Sequence, residues 1–144
     1  MIGALWDRRK IFDVAFKKGR NLQEIHRLIV QSNGWGQFMA YQAVVDMRFT
    51  DLLLGADDVF NWAAAGPGTI RGLNRVHCRR LDFKPSQARA LGEMLQIWKA
   101  APDNTDVKFD FSDVPNILCE TDKYLRVLNG QGKPRAKYVP GRGA

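Results

Sequence analysis

A chain of 144 residues has room for one buried core and no more. Hydrophobic residues make up 45% of it and charged residues 26%, which excludes a disordered, collagen-like or fibrous chain. Twenty-two Lys and Arg against fifteen Asp and Glu leave a net charge of +7, an excess suited to a polyanionic partner such as nucleic acid. Cys78 and Cys119 are too few for a disulfide scaffold and fit a reducing compartment, so the cytoplasm is the expected location. The uncharged stretch Leu28 to Val45 is broken by Gln31, Ser32, Asn33, Gly34 and Gln37, too polar for a membrane span. The amino terminus turns charged after Trp6, without the apolar core of a signal peptide.

Charge falls in blocks. The first twenty residues hold six basic side chains against Asp7 and Asp13, and Gly66 to Leu81 holds four arginines and no acid. Ala101 to Asp122 reverses the sign with six acids against Lys108, and only basic charges follow Asp122. A positive strip competes here with ordinary solvated faces.

In chain order, Leu22, Ile25, Leu28 and Ile29 have helical spacing, and Asn21 with Glu24 resembles a capping box, so a helix is expected from Asn21. Asn33-Gly34 breaks it. Trp35 to Leu54 is expected as the core helix, with Phe38, Tyr41, Val45, Phe49 and Leu52 as its apolar face. Asp57 or Asp58 would cap a short helix over Val59 to Ala65, ending at Gly66-Pro67-Gly68, with a second helix restarting at Thr69 or Ile70. Pro85 suits the first turn of the next helix, whose stripe is Ala88, Leu91, Leu95 and Trp98 and whose end is Ala101-Pro102. Val107 to Phe111 reads as a short strand or as a loop anchored by two phenylalanines. Ser112 or Asp113 would cap a last helix with Val114, Leu118, Leu125 and Leu128 inward, ending at Asn129-Gly130. The expected organisation is a single all-α domain over residues 1–130 and a basic irregular tail over 131–144.

Three groups of residues could carry chemistry. Gly66, Gly68 and Thr69 form a glycine turn at a helix start, which lets a backbone or phosphate approach, and Arg71 and Arg75 share the helix face beyond it. Cys119, Glu120, Asp122, Lys123 and Arg126 bring thiol, acid and base onto neighbouring faces of the last helix; the competing reading is a set of surface ion pairs and a buried thiol. Trp35, Gln37, Tyr41 and Gln42 suit stacking on a nucleobase and reading its edge, although Phe38 and Tyr41 at helical spacing fit a core equally. His26 reads as a packed or surface residue rather than a ligand. No Walker-type loop and no zinc-ligand spacing occurs in the sequence, and no metal or cofactor is expected.

Three stretches together carry a family resemblance: Gly34-Trp35-Gly36-Gln37-Phe38-Met39-Ala40-Tyr41-Gln42 with Asp46-Met47-Arg48; Ala65-Gly66-Pro67-Gly68-Thr69-Ile70-Arg71-Gly72; and Leu118-Cys119-Glu120-Thr121-Asp122-Lys123-Tyr124 leading to Gly132-Lys133-Pro134-Arg135. The chain resembles the alpha-glutamyl/putrescinyl thymine pyrophosphorylase group, also described as the helical domain associated with 5-hydroxymethyl-deoxyuridine DNA kinase. The resemblance implies an all-helical, DNA-glycosylase-like domain with a helix-hairpin-helix element, encoded by phage systems that hypermodify thymine. It implies transfer of an amine, from an amino acid or polyamine, onto (pyro)phosphorylated 5-hydroxymethyluracil in DNA. DNA is the implied partner, with a DNA-base kinase of the same system beside it.

On that reading Gly66, Gly68, Thr69, Arg71, Arg75, Lys133 and Arg135 meet DNA, and Trp35, Gln37, Tyr41 and Gln42 hold an extruded base. Glu120 or Asp122 is the candidate general base, Arg75, Lys123 or Arg135 would steady the departing phosphate, and a further option is that Cys119 adds transiently to the pyrimidine ring. The alternatives are a non-catalytic DNA-binding module of a modification complex, or a base-excising glycosylase.

Overall fold

The computed structural model describes residues 2–19, 21–101 and 110–133, and every regular element among them is helical. Helices α1 (Ile2–Asp7) and α2 (Arg9–Lys18) occupy the basic amino-terminal stretch, which the charge pattern had not marked as helical. Phe12, Ala15 and Phe16 turn one side of α2 toward the core. Arg8, between the two helices, donates through Nη1 to the Leu28 carbonyl and to Ser32 Oγ, both at 2.9 Å, so this cation closes the end of the helix that follows α2 instead of facing solvent.

Helix α3 (Leu22–Val30) starts as expected: Asn21 Oδ1 accepts from the Glu24 N–H at 2.9 Å. Its first turn has a second, distant cap. Buried Asp58 accepts the Leu22 and Gln23 N–H groups at 2.7 and 3.0 Å, satisfying two donors that the helix itself cannot. The residue expected to start a helix over 59–65 therefore caps another one, and 57–61 are turns followed by an irregular run into Gly66. Only the second arm of the anticipated hairpin is helical.

Helix α4 is shorter than expected, Gln37–Met47, and buries Ala40, Tyr41 and Val44, while Phe38, Phe49 and Leu52 are exposed. Apolar side chains fall all round this segment, so its sequence pattern points in no direction and packing chooses the buried face. Helix α5 (Pro67–Val76) begins two residues before Thr69, with Pro67 in its first turn. Helix α6 (Gln87–Ala100) is capped by Ser86, whose Oγ accepts from the Arg89 N–H; Pro85 precedes the cap. The buried positions of α6 are Ala90, Glu93 and Met94, with Leu91, Leu95 and Trp98 only half-buried beside them and Ala88 exposed.

A short 3-10 turn (Phe111–Asp113) leads into α7 (Val114–Leu128). It carries a reciprocal box in which Asp110 accepts from the Ser112 N–H and Asp113 from the Asp110 N–H. Phe111 is fully buried; the rest of the strand-or-loop reading, 107–109, lies outside the described residues. Leu118 faces the core, Leu125 is half-buried and Leu128 is exposed.

The most extensive helix pair is α5 against α7. Gly68 and Gly72, four residues apart, let the two backbones close on each other. A Cβ at Gly68 would overlap the Cys119 sulfur, and one at Gly72 would overlap the Leu118 carbonyl.

Beneath α5, Glu93 gathers the turn after that helix. Arg79 grips it with both Nη atoms at 2.6 and 2.8 Å, Arg89 donates through Nε at 2.9 Å, and His77 lies at 3.7 Å. These hydrogen bonds, Arg79's first, push the Glu93 carboxyl down to about 2. A depressed carboxyl stabilises the fold above its unfolded value of about 4.3 and loses that contribution as pH falls toward 2. Urea midpoints taken from pH 6 to pH 2.5 should therefore fall more steeply for the native chain than for Glu93→Gln. Parallel curves would remove Glu93 from the acid response.

Candidate functional site

The first turns of α4, α5, α6 and α7, with one side of α3, enclose a cavity of about 780 Å³. That volume lies within the usual range for small-molecule sites, about 300–1,000 Å³. Its wall is mainly apolar, with the amides of Gln23, Gln37, Gln42, Gln87 and Asn116 and the rings of His26, Tyr41 and Trp62 set into it. No described carboxylate lines it. The first turns of α4 and α5 reach the cavity without a side-chain cap, since Gly36 and Gly66 stand at the cap positions. The first intrahelical bonds are made by the Ala40 N–H to Gly36 and the Ile70 N–H to Gly66. Partial positive charge at these helix starts, with Arg27 on the α3 wall, makes the cavity hospitable to an anion.

Its polar groups are held in place. Tyr41 is buried and donates to the Ser112 carbonyl at 3.0 Å; burial, then Asp110 and Asp113, raise its pKa well above the ordinary value, so it stays a neutral donor. Arg48 binds Ser112 Oγ at 2.9 Å and pairs with Asp110, locking the end of α4 to the entrance of α7. Gln42 Nε2 reaches Asn116 Oδ1 at 3.3 Å, and Gln87 exchanges two hydrogen bonds with the Ala65 backbone, fixing the irregular run that leads into α5. The His26, Tyr41 and Trp62 rings pack as a trio with centroids 5.3 to 6.4 Å apart.

Of the residues singled out by sequence, Gln37, Tyr41, Gln42, Gly66, Gly68, Thr69 and Cys119 meet around this cavity. Trp35 does not line it and packs half-buried against the core. Gly68 lies against Cys119, so helix packing already accounts for its missing side chain. Thr69 is buried with its hydroxyl on the Pro115 carbonyl at 3.0 Å, leaving its backbone as the part that can face a ligand.

The two arginines expected to grip phosphates hold an internal acid. Arg71 Nε lies 3.0 Å and Arg75 Nε 2.7 Å from buried Asp122, and Arg75 also reaches Gln131 Oε1. Burial alone would raise the Asp122 carboxyl; the bonds from Arg75 and Arg71 override it and hold the group below the usual range. Glu120 and Lys123 pair with each other at 2.5 Å on the exposed face of α7. Glu120, Asp122 and Lys123 are thus outside the cavity lining, Asp122 buried against α5 and the other two exposed on α7. Lys133 is exposed, and Arg135 lies outside the described residues.

Sequence reasoning missed Trp62, Asn116, Gln87 and Arg27 and read His26 as a packed or surface residue. None of the five lies within a spacing that marks a site, and they converge because α3, α6 and α7 pack around one point.

Among the described residues the chain is all-helical, and the starts of four helices meet at one cavity. The family model for the helical domain of 5-hmdU DNA kinase matches residues 8–133, and the chain belongs to that family. Membership associates it with DNA modification. No curated protein and no solved structure matches it. Among the described residues, no helix is long and apolar enough to cross a membrane.

Proposed function

We propose that this domain recognises a thymine-derived base in DNA for hypermodification, receiving one extruded pyrimidine in the cavity between α3, α4, α5 and α7. The observation that carries this reading is a carboxylate-free, mainly apolar wall with amides and aromatic rings set into it, beside two uncapped helix starts. Amide side chains match the alternating donors and acceptors of a pyrimidine edge, and helix starts favour the phosphate that travels with a flipped nucleotide. Phe38 lines the cavity yet is 51% exposed, so it is placed to fill the gap that the departing base leaves in the stack. Arg27, Lys133 and the basic amino-terminal stretch supply contact with flanking phosphates.

The test is fluorescence anisotropy with duplexes carrying one central 5-hydroxymethyluracil, either paired with adenine or mispaired. The mispaired site, cheaper to extrude, should bind about tenfold more tightly. Phe38→Ala should abolish that difference while keeping the salt-dependent background. Equal affinity for both duplexes in the native chain would refute base extrusion.

A second reading, amine transfer onto a (pyro)phosphorylated 5-hydroxymethyluracil, is favoured by Cys119 at the cavity wall. Addition of its thiolate to ring C6 would let the ring expel phosphate from the adjacent methylene. Attack of the amine on that methylene and loss of the thiolate would restore the ring, the amine's proton passing to solvent or phosphate. Glu120, Asp122 and Lys123 would enter such a reaction only by leaving their present ion pairs. Nucleoside mass spectrometry after incubation with phosphorylated DNA and a panel of amines separates catalyst from binding module, and abasic sites would mark a glycosylase.

A further inference from the structure

His26 is 7% exposed, lines the cavity, and is wedged between Trp62 and Tyr41. Its Nε2 lies 3.0 Å from the Gln37 carbonyl oxygen. A carbonyl can only accept, so Nε2 must carry the proton, and the Gln37 backbone that fixes this tautomer belongs to the first turn of α4. Burial favours the uncharged ring, the Gln37 bond opposing it only in part. In the neutral ring Nδ1 is then a lone-pair acceptor, and no described side chain or backbone group satisfies it. The cavity thus presents one rigid imidazole acceptor beside amides already engaged with their neighbours.

We infer that His26 is the specificity-determining residue of this cavity, its Nδ1 accepting a hydrogen bond from the hydroxyl of a 5-hydroxymethyl group on the bound pyrimidine. The inference rests on the base-extrusion reading above. A methyl group offers Nδ1 no proton. A phosphomethyl group brings acceptor oxygens against that lone pair, which offsets the attraction of the helix starts and Arg27 for its charge, so the domain selects the hydroxylated base before phosphorylation and releases it afterwards. The acceptor is prepaid in geometry, since the aromatic trio and the Gln37 carbonyl hold the ring before any ligand arrives.

The test measures affinity of the native chain for mispaired duplexes carrying thymine, 5-hydroxymethyluracil, 5-methoxymethyluracil or 5-phosphomethyluracil at the same position, with an adjacent 2-aminopurine reporting extrusion. The hydroxymethyl duplex should bind about tenfold more tightly than the other three. His26→Phe, which keeps a ring against Trp62 and Tyr41, should bring the hydroxymethyl duplex level with thymine. Equal binding of hydroxymethyl and methoxymethyl bases with full 2-aminopurine response, or tighter binding of the phosphomethyl base, overturns the role of His26 and leaves extrusion standing. Absence of any 2-aminopurine response overturns the extrusion reading itself. The ligand series on the native chain decides the matter even if the variant does not fold.

Discussion

Asp122→Ala is expected to lower the stability of the domain by about 3–5 kcal/mol, enough to leave a large unfolded fraction at room temperature. The acid is 2% exposed and is the common partner of two guanidinium groups, one of which, Arg75, is itself nearly buried. Alanine removes both bonds and leaves Arg75 as an uncompensated charge between α5 and α7, which costs more than the pair contributes. Chemical denaturation with a helical circular-dichroism signal measures this directly. A loss below about 1 kcal/mol would mean that water satisfies the arginines and that Asp122 is free for chemistry, restoring the acid–base role the sequence had proposed for it.

Gly72→Ala is expected to cost about 2–3 kcal/mol even though alanine is the better helix former. The new methyl would meet the backbone of Leu118, and backbone cannot step aside without sliding α7 along α5. Gly68→Ala should cost less, because its obstacle is the sulfur at the end of the Cys119 side chain. Combining it with Cys119→Ala should recover part of the loss, as the nearest remaining side-chain atom, Cβ, lies at 3.3 Å, a tight contact that needs only a few tenths of an ångström of adjustment. Melting temperatures of the four proteins form a double-mutant cycle. Additive losses would show that α5 and α7 are not in register at these glycines.

Several elements were legible because their signals are local. The Asn21 cap, the breaks at Gly34 and Asn129-Gly130, the end of α6 and the helical start at the Gly66 turn all depend on residues within a turn of one another. The two amino-terminal helices were equally local but were read only as charge, although Phe12, Ala15 and Phe16 have helical spacing.

By itself the sequence determined that this is a basic chain, helical throughout its described residues, and it carried the family. Tertiary structure alone decided which cations are free, because Arg71 and Arg75 meet Asp122 from 51 and 47 residues away and Arg8 crosses to α3. It also decided that Phe38 faces out, that Asp58 caps a helix 35 residues upstream, and that His26, Tyr41, Gln42 and Asn116 share one cavity. The physical reason is the same in each case. Helix formation is selected by neighbours along the chain, whereas the partner of a buried charge and the wall of a cavity are selected by neighbours in space, which spacing along one helix does not encode.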